Sequence, residues 1–464
     1  MYKKNKHIHF VGVGGIGMSG IAEVLLNLGY TVSGSDLHDT AITRNLTRLG
    51  GIIHQGHQAE WIEGASVVVT SSAISADNPE VKRARENNIP VIMRAEMLAE
   101  LMRLKKYGIA VAGSHGKTST TSMIAWMLAD AGLDPTIVVG GKVDALGGNA
   151  KLGQGEFLVA EADESDGSFL KLSPVLEVVT NIDLEHLDYY RDLDHIKENF
   201  LQFIDKVPFY GAAIICLDDP GVADILPAIK KRTITYGLTP QADLYGENVF
   251  WKEGRVHYTV RDRSGELGQI DVAPPGMHNV YNSLAVVAAG LELELTFPQI
   301  QKALRSFAGV QRRMQKKGEV GGITVVDDYG HHPTEIRATL AAIKKGWPEK
   351  RLVVLFQPHR YTRTKGLFRE FQTCFHRADV LVMTEIYAAS EEPIEGISGR
   401  SLLAAVIQHG QRHTRYIERV DDMAAELLPM LQPGDLVLTL GAGNIVRVGE
   451  ELLELLEPRG GEGG

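Results

Sequence analysis

Short apolar runs rich in Val and Ile alternate with amphipathic stretches along nearly the whole chain, the pattern of parallel sheets with crossover helices. HIHFVGV, TVSGS and ASVVVTSS predict strands, and between the first two Met18, Ile21, Ala22, Leu25 and Leu26 fall on one helical face. A second unit opens with the strand YGIAVAG after Lys105-Lys106 and continues through EFLVAEAD, VLEVVTNI and AAIICLDD. The pattern then changes. DLYGENVFWKEGRVHYTVRD alternates about Glu253-Gly254, which predicts an antiparallel hairpin, and helices follow from about His278 to Leu291 and from Pro298 to Phe307. GVQRRMQKKGEVGG reads as a linker into a third α/β unit with strands ITVVDDY, RLVVLFQP, ADVLVMTEI and DLVLTLGAG.

A chain of 464 residues is too long for one core, so about three domains are expected. The formal net charge of -10 argues against a nucleic-acid partner, because phosphate backbones select basic surfaces. Cys216 and Cys374 both lie in apolar context and read as core residues of a reduced, cytoplasmic protein. The basic start MYKKNKHIHFVGVGGIG has glycines where a signal peptide would stay apolar, and strand followed by turn is the better reading. No apolar run is long enough to span a membrane.

Gly12, Gly14 and Gly17 form G-x-G-x-x-G between a predicted strand and helix, and Asp36 ends the next strand, where a ribose-binding acid belongs. The turn predicts a pyrophosphate and a ribose without saying whose. AGSHGKTST is the sharper signal: Gly113 and Gly116 free the backbone, Lys117 can reach terminal phosphates and Thr118 can ligate Mg²⁺. Its spacing is shortened, since Val111 stands where the first Walker glycine would fall. Glu161, Asp163, Glu164 and Asp166 end one apolar strand, and Asp183, Glu185, His186 and Asp188 end another. One carboxylate, one hydroxyl and one imidazole would suffice for Mg²⁺ beside phosphate. In the third unit Asp328, Tyr329, His331, His332, His359, Arg360 and Arg363 follow strands, and arginines in such a place suit a small carboxylate such as an amino acid. Gln311, Arg312 and Arg313, in the linker, read either as a solvated hinge or as a source of a guanidinium for phosphate.

The ordered set HFVGVGGIGMSGIAEVL, SDLHD, VVTSSAI, GSHGKTSTT, AEADESD, TNIDLEHLD, GMHNVYNSLA, FAGVQRRM, DDYGHHPTEI, FQPHRYTRT and GAGNI resembles the Mur ligase family over essentially the whole chain. The resemblance implies an N-terminal Rossmann-like domain over 1–107 that binds a UDP-sugar, a central P-loop ATPase over 108–309 and a C-terminal Rossmann-like amino-acid domain over 310–464. It implies ATP-dependent joining of L-alanine to the lactyl carboxylate of UDP-N-acetylmuramate through an acyl phosphate, in peptidoglycan precursor synthesis, by a monomer or weak homodimer. ATP contacts carry over to Gly113, Ser114, His115, Gly116, Lys117, Thr118, Ser119, His278, Asn279, Asn282 and Asp328, and metal contacts to Thr118, Glu161 and His186. Substrate contacts carry over to Gly12, Gly14, Gly15, Gly17, Asp36, Ser72, Ala73, Glu164, Ser165, Tyr329, His331, His359, Arg360 and Arg363. Lys117, His186, Arg313, His331 and Arg360 would carry the chemistry. One departure stands out: the slot of the metal-bridging carbamylated lysine of sister ligases holds Leu201, with Lys197 the nearest lysine. A tripeptide ligase of cell-wall recycling, an NAD(P)-dependent oxidoreductase and a non-enzymatic nucleotide-switch or scaffold protein are the rival readings.

Overall fold

A computed structural model describes residues 6–71, 73–143, 148–186, 189–252, 254–389 and 391–457. The first sheet has five strands: β1 (His7–Val11), β2 (Thr31–Asp36), β3 (Ile52–Gln55), β4 (Val67–Thr70) and β5 (Val91–Met93). They are ordered β3-β2-β1-β4-β5 and all pair in parallel. The order reverses at β1, which opens a crevice past its carboxyl end. Phe10, Val11 and Val13 are buried around that end, and the helix Ile16–Asn27 starts there with Met18, Ile21, Ala22 and Leu25 turned into the core, as the spacing predicts.

The second sheet comprises β6 (Tyr107–Ala112), β7 (Thr136–Val143), β8 (Gly148–Lys151), β9 (Phe157–Glu161), β10 (Leu176–Val179), β11 (Ala212–Cys216), β12 (Thr233–Gly237), β13 (Leu244–Lys252), β14 (Arg255–Asp262) and β15 (Gly265–Val272). Its order is β15-β14-β13-β12-β11-β10-β6-β9-β7-β8, with β6 central and paired in parallel to β9 and β10. Ile109, Ala110, Val111 and Ala112 of β6 are buried, as a strand covered on both faces requires. Cys216 and Cys374 are free and buried. The expected β13–β14 hairpin forms, extended by β15; its turn residue 253 lies outside the described residues.

The third sheet runs β16 (Gln315–Val320), β17 (Ile323–Asp328), β21 (Asp435–Leu440), β18 (Arg351–Phe356), β19 (Val380–Met383) and β20 (Thr414–Tyr416) in spatial order. β16 corrects the linker expected in QKKGEV: it pairs antiparallel with β17. An edge strand gains its backbone hydrogen bonds without needing apolar side chains, so a charged run can still be a strand. Gly321 and Gly322 reverse the chain behind it with positive φ values of 59° and 77°.

These elements cluster into two compact units. One takes the chain up to Asn248 with Tyr258–Ile270 and Tyr281–Ala308, and so holds the first sheet and most of the second. The other takes Val249–His257, Asp271–Val280 and everything from Gly309 on, including the third sheet. No helix among the described residues is long and apolar enough to cross a membrane.

Candidate active site

In the first unit, the glycine turn closes over the end of β1. Gly12 has φ +78°, and the amides of Gly12 and Val13 donate to the Ser35 carbonyl at 2.8 and 2.9 Å. Gly15 caps the following helix, which has no side-chain cap and no acid in its first turn. Asp36 is engaged by the turn itself: Oδ2 accepts the Gly14 amide at 2.8 Å and Oδ1 accepts the His38 amide at 3.1 Å. A Cβ on Gly14 would lie 2.7 Å from that Oδ2, so the second glycine makes room for the acid. The third makes room for Arg94, whose Nη1 would lie 2.9 Å from a Cβ on Gly17. Ala73 is exposed and Ser72 lies outside the described residues, as does Asp188.

The second glycine loop, 113–116, leads from β6 into the helix Lys117–Asp130. Gly113 (φ +133°) and Gly116 (φ +82°) take conformations that side chains resist, and a Cβ on Gly116 would come within 2.5 Å of Asn282 Oδ1. The loop is laced to the TNIDLEH segment. Asp183 N donates to Ser114 Oγ at 2.8 Å, His115 N donates to Asn181 Oδ1 at 2.8 Å, and His115 Nε2 lies 3.0 Å from Asp183 Oδ2. Ser119 sits in the first turn of the helix.

Lys117 folds back over this loop. Its Nζ donates to the Gly113 carbonyl at 2.6 Å, the Ser114 carbonyl at 3.2 Å and Glu164 Oε1 at 2.8 Å. Burial works to lower the pKa of this ammonium, and the Glu164, Glu161 and Glu185 carboxylates override it, holding the group above its ordinary value. Thr118 Oγ1 donates to both oxygens of Glu161, at 3.1 and 2.9 Å. His186 Nε2 lies 3.5 Å from Glu164 Oε1 and 3.8 Å from Glu185 Oε2. Burial would lower the pKa of this ring too, but the hydrogen bond to Glu164 and both carboxylates raise it. Glu164 is 2% exposed, and its Oε2 has no hydrogen-bond partner among the described residues. A divalent cation fits here: the ligand atoms of Glu164, Glu185 and His186 lie within 4.8 Å of one another. The Ser165 amide donates to Asp163 Oδ1 at 3.1 Å, which shapes the turn carrying Glu164.

The second unit gathers the histidines and arginines at the carboxyl ends of β17 and β18. His331 Nδ1 lies 3.2 Å from the Tyr329 carbonyl. A carbonyl only accepts, so Nδ1 carries the proton and Nε2 the lone pair. His359 is the reverse. Arg363 Nη1 donates to its Nδ1 at 3.0 Å, which leaves the proton on Nε2. The two rings sit 6.0 Å apart, and His359 stacks on Tyr387 at 5.5 Å. Burial pushes His331 down to about 3, with Arg363 and His359 assisting and Glu335 opposing. Burial, Arg363 and Arg360 push His359 down to about 4. Both rings are neutral at pH 7. Arg360 is exposed, with φ +69°. The Arg312 and Arg313 guanidinia both lie over the Tyr329 ring, 4.9 and 5.4 Å from its centre. Arg313 also approaches Glu335 at 3.6 Å.

Asp328 is buried and already bonded: Oδ2 accepts from the Met314 amide and Oδ1 from the Gly330 amide, both at 2.8 Å. Burial raises its pKa to about 6 against the pull of Arg313. His278 is pushed down to about 4 by burial and Arg313, and Asn279 Nδ2 donates to the Pro274 carbonyl at 2.9 Å. Sequence reasoning missed Arg94 and Glu335. Glu335 alone had a signal, standing three residues after His332 as a capping-box acid.

A lysine reaching back over its own glycine loop, with a hydroxyl and carboxylates beside a helix N-terminus, is what a polyphosphate and its counter-cation ask of a protein. The class is therefore a P-loop nucleotide-dependent α/β enzyme. Three family models match in sequence: "Mur ligase family, catalytic domain" over residues 7–106, "Mur ligase middle domain" over 111–290 and "Mur ligase, glutamate ligase domain" over 312–443. The chain belongs to the Mur ligase family and has its three-domain α/β fold. It is 69% identical to a UDP-N-acetylmuramate–L-alanine ligase of Desulfotalea psychrophila, over 98% of this chain and 99% of that one. Among solved structures it is similar to a UDP-N-acetylmuramate–alanine ligase of Thermotoga maritima, with 29% identity, a TM-score of 0.83, and 97% and 98% of the two chains covered. A murein peptide ligase of Psychrobacter arcticus is also similar, with 25% identity, a TM-score of 0.73, and 97% and 99% covered.

Proposed function

We propose that the chain joins L-alanine to the lactyl carboxylate of UDP-N-acetylmuramate at the expense of ATP, giving ADP and phosphate. The observation that carries this reading is the full-length 69% identity to an L-alanine ligase. The Lys117 ammonium, which already donates to oxygens of its own glycine loop and of Glu164, supports it. The comparisons favour neither the tripeptide ligase nor the oxidoreductase.

In this reading the domains join near residues 107 and 309. The Gly12–Gly17 turn, with Asp36, Ser72 and Ala73, takes the UDP-sugar, and residues 113–119 with His278, Asn279, Asn282 and Asp328 take ATP. Thr118, Glu161 and His186 would hold Mg²⁺, with Glu164 and Glu185 beside the same imidazole, and the ion would offset phosphate charge. The lactyl carboxylate attacks the γ-phosphorus, the bond to the β,γ-bridging oxygen breaks, and acyl phosphate and ADP form. Two anions meet in that step, so Lys117 and Arg313 serve by neutralising charge as it moves. The alanine amine then attacks the acyl carbon and phosphate leaves. Arg360, Arg363 and the His359 Nε2 proton suit the alanine carboxylate, and the His331 Nε2 lone pair suits a proton from the attacking amine. Tyr329, Glu164 and Ser165 line the substrate. ATP and a UDP-sugar are cytoplasmic metabolites, so the enzyme works in the cytoplasm, as a monomer or weak homodimer.

The test is phosphate release from ATP with Mg²⁺, UDP-N-acetylmuramate and L-alanine, omitting each in turn. The expected result is release that requires all three and is lost in Lys117→Ala. Release with the tripeptide in place of alanine, or release indifferent to the sugar nucleotide, would overturn the reading.

A further inference from the structure

The three glycines of the first turn do different work, and the third leads to a residue the motif does not contain. Arg94 opens the helix Arg94–Arg103 directly after β5, at the carboxyl edge of the first sheet. Its side chain lies along the first turn of the helix Ile16–Asn27. A Cβ on Gly17 would stand 2.9 Å from Nη1, 3.2 Å from Cδ and 3.4 Å from Cζ. Gly17 has no positive φ among the glycines of this chain that do, so conformation does not demand glycine there. A side chain there would push the guanidinium from its place.

The charges around the turn are arranged to match. The Gly14 amide is already taken by Asp36, so the turn's second glycine presents a carboxylate. Positive character comes instead from an uncapped helix end without a first-turn acid and from the Arg94 guanidinium laid against it. That guanidinium is 22% exposed and, among the described residues, is held by a single ion pair, Nη2 to Asp163 Oδ2 at 3.0 Å. Asp163 is itself 41% exposed, so the pair is open to exchange with a better anion. Asp163 and Glu164 are neighbours, and Glu164 holds Lys117 in the same manner. The cation beside each glycine loop is thus stored on an adjacent carboxylate of one turn.

We infer that Arg94 binds the diphosphate of the sugar nucleotide at the Gly12–Gly17 turn, exchanging Asp163 for phosphate oxygens when the nucleotide arrives. The inference rests on the reading that this turn takes the UDP-sugar. Arginine suits the exchange because its planar fork meets two phosphate oxygens at once.

The test is calorimetric titration of the full chain with UDP, with uridine and with a non-hydrolysable ATP analogue. Arg94→Met is expected to weaken UDP about 10- to 100-fold, the worth of charge-assisted hydrogen bonds to phosphate, while leaving uridine and the ATP analogue unchanged. Arg94→Lys should recover part of the loss. Gly17→Ala should weaken UDP by swinging the guanidinium aside, and should add little in an Arg94→Met background. UDP affinity unchanged in Arg94→Met, with Gly14→Ala clearly impaired, would overturn the assignment of Arg94 alone. Failure of the wild type to bind UDP, or normal UDP binding in Gly14→Ala, would overturn the reading of the turn and this inference with it. Equal weakening of UDP, uridine and the ATP analogue by Arg94→Met would mark the residue as structural and also overturn the inference.

Discussion

Replacing Glu177 by glutamine should flatten the pH dependence of thermal stability. Glu177 sits in β10, fully buried, between Ala110 of β6 and Ala213 of β11, and neither carboxylate oxygen has a hydrogen-bond partner among the described residues. Burial pushes its pKa well above the ordinary carboxylate value, with Lys206 the opposing influence. The folded chain therefore keeps a proton that the unfolded chain releases near pH ~4.3. Stability from this group is complete below that pH and is lost as pH rises toward the folded pKa. One proton changes the stability by at most about 1.4 kcal/mol per pH unit, so from pH 5 to 8 the acid costs up to about 4 kcal/mol. Glutamine is similar in size and polarity but cannot ionise. At about 2–4 °C per kcal/mol for a cooperative unit of roughly 150–250 residues, Glu177→Gln should match the wild type near pH 5 and exceed its Tm by up to about 8–16 °C at pH 8. Differential scanning calorimetry of both proteins across that range is the assay. Parallel Tm curves would refute the reasoning, because they would mean that Glu177 titrates alike in the folded and unfolded chains.

The remaining predictions concern the amine step. The opposed tautomers of His331 and His359 predict different losses: His331→Gln should lower kcat for L-alanine by about 10²–10⁴-fold, while His359→Gln should mainly raise KM for L-alanine. Steady-state kinetics showing the same split for both variants would refute the tautomer argument. With burial holding these rings neutral down to about pH 3 and about pH 4, log kcat/KM for L-alanine between pH 5.5 and 7.5 should rise with a slope of one from the amine alone; a slope approaching two below pH 6.5 would mean that an imidazole titrates as well. Glycine and L-serine should be poor but measurable substrates, because one methyl or hydroxyl changes transition-state binding by only about 1–3 kcal/mol. Phosphate release indistinguishable from blank for both, with alanine robust, would contradict this.

Periodicity was enough for the parallel cores. Ile109 to Ala112 and Leu436 to Leu438 are apolar because both faces of those strands are covered, and a run of that kind announces itself. β16 did not, because an edge strand is held by backbone pairing and its side chains answer to solvent. The glycine loops were legible for a similar reason: Gly113 and Gly116 have φ values that narrow the residue choice to glycine. Arg94 was not. Its role comes from a crossing of two elements 77 residues apart in sequence, counted from Gly17 to Arg94, and an isolated arginine after a short strand has many ordinary explanations. Asp36 shows the converse. Its position was read correctly from the strand end, yet its partner is the turn's own amide, which spacing cannot distinguish from a ligand's hydroxyl.

The storage of both cations on Asp163 and Glu164 bears on selectivity. A buried ion pair broken without replacement leaves an uncompensated charge, which is costly. Lys117 is 14% exposed and Glu164 2%, so a ligand that draws Lys117 away has to offer more negative charge than one carboxylate, and something has to compensate Glu164 in turn. A polyphosphate accompanied by a divalent cation does both at once, with the phosphate taking the ammonium and the cation taking the carboxylate. A lone monoanion does neither. The second, unpartnered oxygen of Glu164 points the same way, since a carboxylate buried for the lysine alone would more economically satisfy both oxygens. If the loop takes ATP as proposed, the resting ion pair would discriminate against simple anions before any chemistry begins, on burial and charge count and without reference to the shape of the nucleotide.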